Sequence, residues 1–187
     1  MTFKAIVGIV LGAMLANNYA LEKFLGAAPL LGWSAQEKKI TVLGVSVTVA
    51  MVLTALIAGL VQTYVLDKLS LGYLQTLVFA AIVLIVVYAI NAVAKAAFKK
   101  DLGVYFPVIA LNSAVLGLAV NNIAEGYTYV EALFAALGAG LGFVLAMVLF
   151  DGVKSKINER YVPKAFRGLP VMLLAASIIS LAFYAFK

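Results

Sequence analysis

Six long apolar runs, at about 3–21, 40–65, 71–94, 104–122, 130–150 and 169–186, occupy most of a chain of 187 residues. A helix crosses the hydrocarbon of a bilayer with about 20 apolar residues, and a run of 18 or more is its signature. The segments between the runs are too short to fold as a soluble domain. The expected architecture is therefore all-α and integral to a membrane, with six transmembrane helices in one membrane domain over 1–187. A membrane β-barrel would need short strands of alternating polarity separated by turns, and the chain has none of that pattern. Charge agrees, since only 12% of residues are Asp, Glu, Lys or Arg, about half the share in a soluble domain.

The first run, AIVGIVLGAMLA after Lys4, has the outline of a secretory signal. It leads into Asn17-Asn18 and a second apolar stretch without a small-residue cleavage site, so it is expected to stay as the first span. Orientation follows from the basic residues. Of 14 lysines and arginines, eleven fall between spans one and two (Lys23, Lys38, Lys39), three and four (Lys95, Lys99, Lys100), or five and six (Lys154, Lys156, Arg160, Lys164, Arg167). Positive charge is retained in the cytoplasm, which puts both termini outside the cytoplasmic membrane of a bacterium or archaeon. The net charge of +6 is thus a topology signal and calls for no nucleic acid.

The chain contains no cysteine and no histidine. That removes disulfides, thiolate-held zinc or iron–sulfur centres, imidazole triads and histidine-held haem. No catalytic residues of its own and no metal site are expected.

Polar breaks interrupt the greasy runs. Residues 17–32 read NNYALEKFLGAAPLLG, and 107–122 contain Pro107, Asn112-Ser113 and Asn121-Asn122. Aligning LGAAPLLG (25–32) with ALNSAVLG (110–117) sets Ala28 over Ser113, Leu31 over Leu116 and Gly32 over Gly117. With three spans in each half, the second half starts on the opposite side of the membrane. The expected fold is a 3+3 inverted-topology repeat, about 1–98 and 99–187, with helices one and four interrupted. Such folds place their site near mid-membrane on the broken helices, because irregular backbone at that depth survives only against protein or a wet cavity. Asn17, Asn18, Pro29, Asn91, Pro107 and Asn112 are the expected lining. The plainer alternatives are interhelical hydrogen bonds and helix-end caps for the asparagines, and a simple kink at Pro107. The rows Gly8-x-x-x-Gly12 and Gly138-x-x-x-Gly142 fit close helix packing.

These stretches also carry a resemblance. ANNYALEKFLGAAPLLG resembles the first-span motif of the family formed by the Rnf A and Nqr E subunits, and LGVYFPVIALNSAVLG resembles its fourth-span motif. GFVLAMVLFDGVKSKINERYVPKAFRG resembles the family's fifth span and basic loop, and SLAFYAF its C-terminus. The resemblance implies a membrane subunit of an ion-translocating electron-transfer complex. Such complexes couple ferredoxin or quinone and NAD redox chemistry to Na+ or H+ movement. It further implies a pseudo-symmetric sister subunit, other complex subunits, and a two-iron, two-sulfur cluster shared with the sister through two cysteines from each.

Both cysteine positions are occupied here by other residues, Ala28 and Ser113. Alanine has no donor atom, and one hydroxyl does not replace two thiolates. The family's third-span carboxylate falls near YAIN (88–91), where Asn91 stands. The chain as it stands is thus expected to bind no cluster. The alternatives to a working subunit are a redox-inactive scaffold of the same fold, whether a natural paralogue, engineered or designed, and a small solute transporter.

Overall fold

The computed structural model describes residues 3–27, 37–98, 105–158 and 160–186. Among them the regular structure is entirely helical. Helix α1 spans Phe3–Leu11 and widens into a π-turn over Gly12–Ala16. Helix α2 is Glu37–Val61, closed by a π-turn at Gln62–Leu66, and α3 is Gln75–Phe98, entered through a 3₁₀ turn at Gly72–Leu74. Then come α4 (Tyr105–Ala110), α5 (Ser113–Ala124), α6 (Tyr129–Lys156) and α7 (Leu169–Tyr184).

Four segments are long and apolar enough to cross a membrane: Ile40–Leu66, Gly72–Ala96, Phe106–Ala124 and Tyr129–Lys156. The first and last, Lys4–Ala16 and Leu169–Tyr184, are shorter. The first apolar run, expected to reach about residue 21 with its helix broken at Asn17-Asn18, is helical from Phe3 to Ala16. It stops at Ala16 because the backbone groups of the next residues bond to side chains and to other helices.

Helix α6 is the post around which the rest packs. It begins at a capping box, in which the Thr128 side chain accepts from Glu131 N and Glu131 Oε2 accepts from Thr128 N at 2.9 Å. Its glycines set the spacing. A β carbon on Gly44 would lie 2.6 Å from Val144 Cγ2, and one on Gly140 would lie 2.5 Å from Thr48 Cγ2. As one number rises the other falls, so α2 and α6 run antiparallel. On its other side, β carbons on Gly138 and Gly142 would lie 2.6 Å from Val10 O and 2.8 Å from Met14 O. Those pairs rise together, so α1 runs parallel to α6. The row at 138 and 142 is therefore a close-packing row, as expected. The row at 8 and 12 has no such neighbour among the described residues: a β carbon on either glycine would meet nothing within 4 Å.

Along α2, Leu43, Val47, Ala50, Met51, Ala55 and Ala58 are buried, while Val42, Val45, Val49, Leu53, Ile57 and Leu60 are exposed. Both faces are apolar. An exposed face this greasy suits hydrocarbon and not water.

Candidate functional site: two broken helices in contact

The two breaks meet. In the first, the chain leaves α1 at Asn17 and turns through Ala27. Asn18 is fully buried and makes four hydrogen bonds. Its Nδ2 donates to Met14 O and Gly142 O at 2.9 Å each, and its Oδ1 accepts from Ala20 N at 3.0 Å and Leu21 N at 3.2 Å. One amide thus terminates the helix behind it, satisfies the turn ahead and ties both to α6. Gly142 is the fourteenth of the 28 residues of α6, so the tie lies at half the height of that helix. From α7, Ser180 Oγ donates to Leu21 O at 2.6 Å, closing another backbone acceptor of the turn.

The second break separates α4 from α5 at Leu111-Asn112. Asn112 is the N-cap of α5, with Oδ1 accepting from Ala114 N at 2.9 Å. Ser113 then reaches across. Its Oγ accepts from Gly26 N at 2.8 Å, linking positions 87 residues apart. Gly26 has φ +69, and a β carbon there would fall on Asn112 Oδ1 and lie 3.1 Å from Ala114 Cβ. Both the left-handed backbone and the close approach demand glycine. Leu25 caps the contact, since a β carbon on Gly117 would lie 2.6 Å from its Cδ1.

The expected lining residues divide. Asn18, Asn112 and Ser113 belong to the contacting breaks. Asn17 is exposed and lines a cleft of about 270 Å³ with Gly8, Gly12, Asn121 and Tyr127. Asn91 is half-buried on α3 and lines neither that cleft nor the one beside Asn112. Pro107 lies within the described part of α4, Tyr105–Ala110, ahead of the break at Leu111-Asn112. Asn121 and Asn122 were expected to mark either a further break or a helix end, and no break falls at them. They lie instead in the last turn of α5, where their carbonyls accept from Glu125 N at 2.9 Å and Tyr127 N at 3.0 Å. Ala28 and Pro29 lie outside the described residues.

Some polar groups gave no warning in the sequence. Thr54 Oγ1, Gln62 Oε1 and both amide atoms of Asn122 are buried without hydrogen-bond partners among the described residues. Lys23, expected in a cytoplasmic loop, turns toward α5. Its ammonium lies 3.2 Å from Asn121 Oδ1 and 4.8 Å from the centre of the Tyr19 ring. The loop lysines and arginines that remain carry the charge asymmetry without it. Tyr127, on the turn at that end of the cleft, has its phenol pKa raised by burial, then by the carboxylates of Glu125 and Glu131.

This donor set does not fit a thiolate-held cluster. Ser113 Oγ is already engaged with Gly26 N, and the chain, which has no cysteine, supplies no thiolate. Among the described residues no three histidine, cysteine or acidic side chains converge on a point that could hold a metal.

A multi-span helical membrane protein in which the turn after α1 closes on the break between α4 and α5 is the class defined by this geometry. Over residues 6–187 the chain matches the model of the Rnf-Nqr subunit family of membrane proteins, and it belongs to that family. It is 41% identical to the A subunit of the Na(+)-translocating ferredoxin:NAD(+) oxidoreductase complex of Acetobacterium woodii, over 97% of this chain and 96% of that one. It is 38% identical to the A subunit of the ion-translocating oxidoreductase complex of Syntrophotalea carbinolica (98% and 96% covered). The protein of that name in Aliivibrio fischeri is 33% identical, with 95% and 94% covered.

Proposed function

We propose that this chain is the A-type membrane subunit of an ion-translocating electron-transfer complex of the Rnf kind, and that it contributes scaffold and contact surface in place of redox ligands. The observation that carries the reading is 41% identity to such a protein along nearly the whole of both chains. The complex couples electron flow between ferredoxin and NAD to cation movement. The chain's own share is to hold two backbone breaks closed at half membrane height.

The decisive experiment is purification through a tag on this chain from its native membranes. Further membrane subunits and ferredoxin:NAD oxidoreductase activity should come with it, and deletion of the gene should remove that activity from the membranes. A chain that purifies alone, with membrane activity unchanged on deletion, would refute the assignment.

The arrangement in the membrane is six crossings, related as inverted halves of about 1–98 and 99–187, with both termini outside the cytoplasmic membrane. Support comes from the parallel course of α1 and α6, the antiparallel course of α2 and α6, and the broken segment in each half. A cysteine placed at Glu125 should react with an impermeant thiol reagent from outside, and one at Lys38 only from the cytoplasm. Reversed labelling would sink the inverted arrangement.

A pseudo-symmetric sister subunit is the partner proposed for the face that carries the breaks, and a cluster shared with it is not held by this chain as it stands. Ala28→Cys together with Ser113→Cys should add a two-iron absorption and redox signal in a complex whose sister supplies two further thiolates. Either single change should add none, because one iron stays under-ligated. A signal from a single variant, or none from the double in an intact complex, counts against the shared site.

A further inference from the structure

We propose that the loop between α6 and α7 is a docking site for an anionic phospholipid, whose phosphate is held by Arg167 with Arg160 and Lys164 beside it. Between Asp151 and Pro170 the chain carries five cations, Lys154, Lys156, Arg160, Lys164 and Arg167, against a single acid, Glu159. Among the described residues no carboxylate pairs with Arg160, Lys164 or Arg167, and all three are exposed. Backbone ties fix where they stand. Asn158 Oδ1 accepts from Arg160 N at 3.0 Å, and Asn158 O accepts from Tyr161 N at 3.1 Å. Pro163 then opens a 3₁₀ turn, Lys164–Phe166, in which residues three apart leave on one side, so Lys164 and Arg167 share that side. Like charges on one side of a short turn repel, and an anion brought from outside the chain relieves them.

A topology signal needs only the sum of the charges. This loop has more. Arg167 Nε donates to Val162 O at 3.0 Å, and Val162 is half-buried. The guanidinium plane is thereby held, and its two terminal nitrogens remain to meet two phosphate oxygens as a fork. Cations and apolar side chains alternate along the loop: Arg160 is followed by Tyr161, Lys164 by Phe166 and Arg167 by Leu169. Those three apolar groups are 88%, 48% and 58% exposed. The loop joins two apolar helices, α6, which is long enough to cross as Tyr129–Lys156, and α7, which starts at Leu169. It therefore stands at the boundary of the hydrocarbon, the level of phospholipid phosphate and of aromatic side chains with one wet end. A phospholipid brings an anion and an apolar body to the same place. An acidic soluble protein would bring the anion and leave Tyr161, Phe166 and Leu169 uncovered. Net negative charge selects among lipids, because in phosphatidylcholine the ammonium offsets the phosphate.

The test is native mass spectrometry of the full chain released from mixed micelles that carry either phosphatidylglycerol or phosphatidylcholine. Phosphatidylglycerol should bind about tenfold more tightly or better. Each cation at the membrane surface is worth about fivefold in affinity. Arg160→Gln, Lys164→Gln and Arg167→Gln together should therefore weaken phosphatidylglycerol binding about a hundredfold, and Lys68→Gln, on another loop, should change nothing. Arg167→Lys keeps the charge but cannot hold Val162 O and fork a phosphate at once, and should weaken binding about tenfold. Phosphatidylglycerol with a photoreactive headgroup should label peptides within 157–170. A glutamate decamer, which offers carboxylates without acyl chains, should not displace the lipid. The proposal fails if phosphatidylcholine binds as tightly, if the triple variant or Arg167→Lys binds like the original chain, or if Lys68→Gln costs as much as either. It fails equally if the label falls elsewhere or the decamer displaces the lipid. Arg167→Lys and the photolabel decide the matter even where the triple variant does not fold, and the isolated chain answers whatever becomes of the redox assignment.

Discussion

Asn18→Leu should abolish the folded state. Leucine is close to asparagine in volume, so packing is little disturbed and the loss is in hydrogen bonding. Gly142 O and Met14 O lose their donor, and Ala20 N and Leu21 N lose their acceptor, at a site with no exposed surface. At roughly 1 kcal/mol net for each bond, and more for each group left dry, the cost is about 4 kcal/mol or above. That is comparable with the whole stability of many domains, about 5–15 kcal/mol. The measurement is the midpoint of unfolding by sodium dodecyl sulfate in mixed micelles, with the monodisperse yield in mild detergent. Asn17→Leu, one residue earlier and exposed, should leave both unchanged in the isolated chain. If Asn18→Leu kept the original midpoint, the break would be held by something other than this amide.

Alanine at Gly138 or Gly142 should destabilise the chain, and alanine at Gly8 or Gly12 should not. The motif is the same, small-x-x-x-small, and the sites differ only in what stands opposite. New methyls at 138 and 142 press on the backbone of α1, at 2.6 Å from Val10 O and 2.8 Å from Met14 O, and backbone cannot swing aside as a long side chain can. Overpacking of this sort costs about 1–3 kcal/mol per site. New methyls at 8 and 12 meet open space, and replacing a helical glycine gains about 0.5–1 kcal/mol of propensity. Four unfolding midpoints in the isolated chain decide the matter. Equal losses at all four sites would mean that α1 turns a different face to α6. If Gly8→Ala and Gly12→Ala spare the isolated chain yet weaken an assembled complex, the open row on α1 is a seat for a partner helix.

Much of this was legible in the order of the residues. Apolar runs gave the class, and asparagines inside them marked the positions where helices stop, at Asn17-Asn18 and Asn112-Ser113. The two polar stretches singled out in the sequence meet where Gly26 N donates to Ser113 Oγ. Three things were not legible, each because it depends on a neighbour distant in the chain. The sequence writes Asn17 and Asn18 alike, yet both follow the helix end at Ala16, where Asn17 is exposed and only Asn18 bonds to α6. Pro107 looks like the breaker of its segment, yet the break falls at Leu111-Asn112, beside the Ser113 hydroxyl that accepts from Gly26 N. The role of Ser180 requires Leu21 beside it, 159 residues away. A fourth was missed though it was there to be read: Thr128-x-x-Glu131 ahead of an apolar run is the pattern of a capping box.

The ties that join the first break to the rest of the molecule come from later chain: Ser113, Gly142 and Ser180. A ribosome adding about 5–20 residues per second needs roughly 6–25 s to make the 124 residues from Asn18 to Gly142. Before those residues are made, Gly26 N lacks Ser113 Oγ, Leu21 O lacks Ser180 Oγ and the Asn18 amide lacks Gly142 O, with no place in the hydrocarbon to satisfy them. The nascent first segment must therefore wait beside water, in the insertion channel or at the membrane surface, until the fifth span arrives. Biogenesis of this protein proceeds against the order of synthesis, with the first segment written among the last to settle.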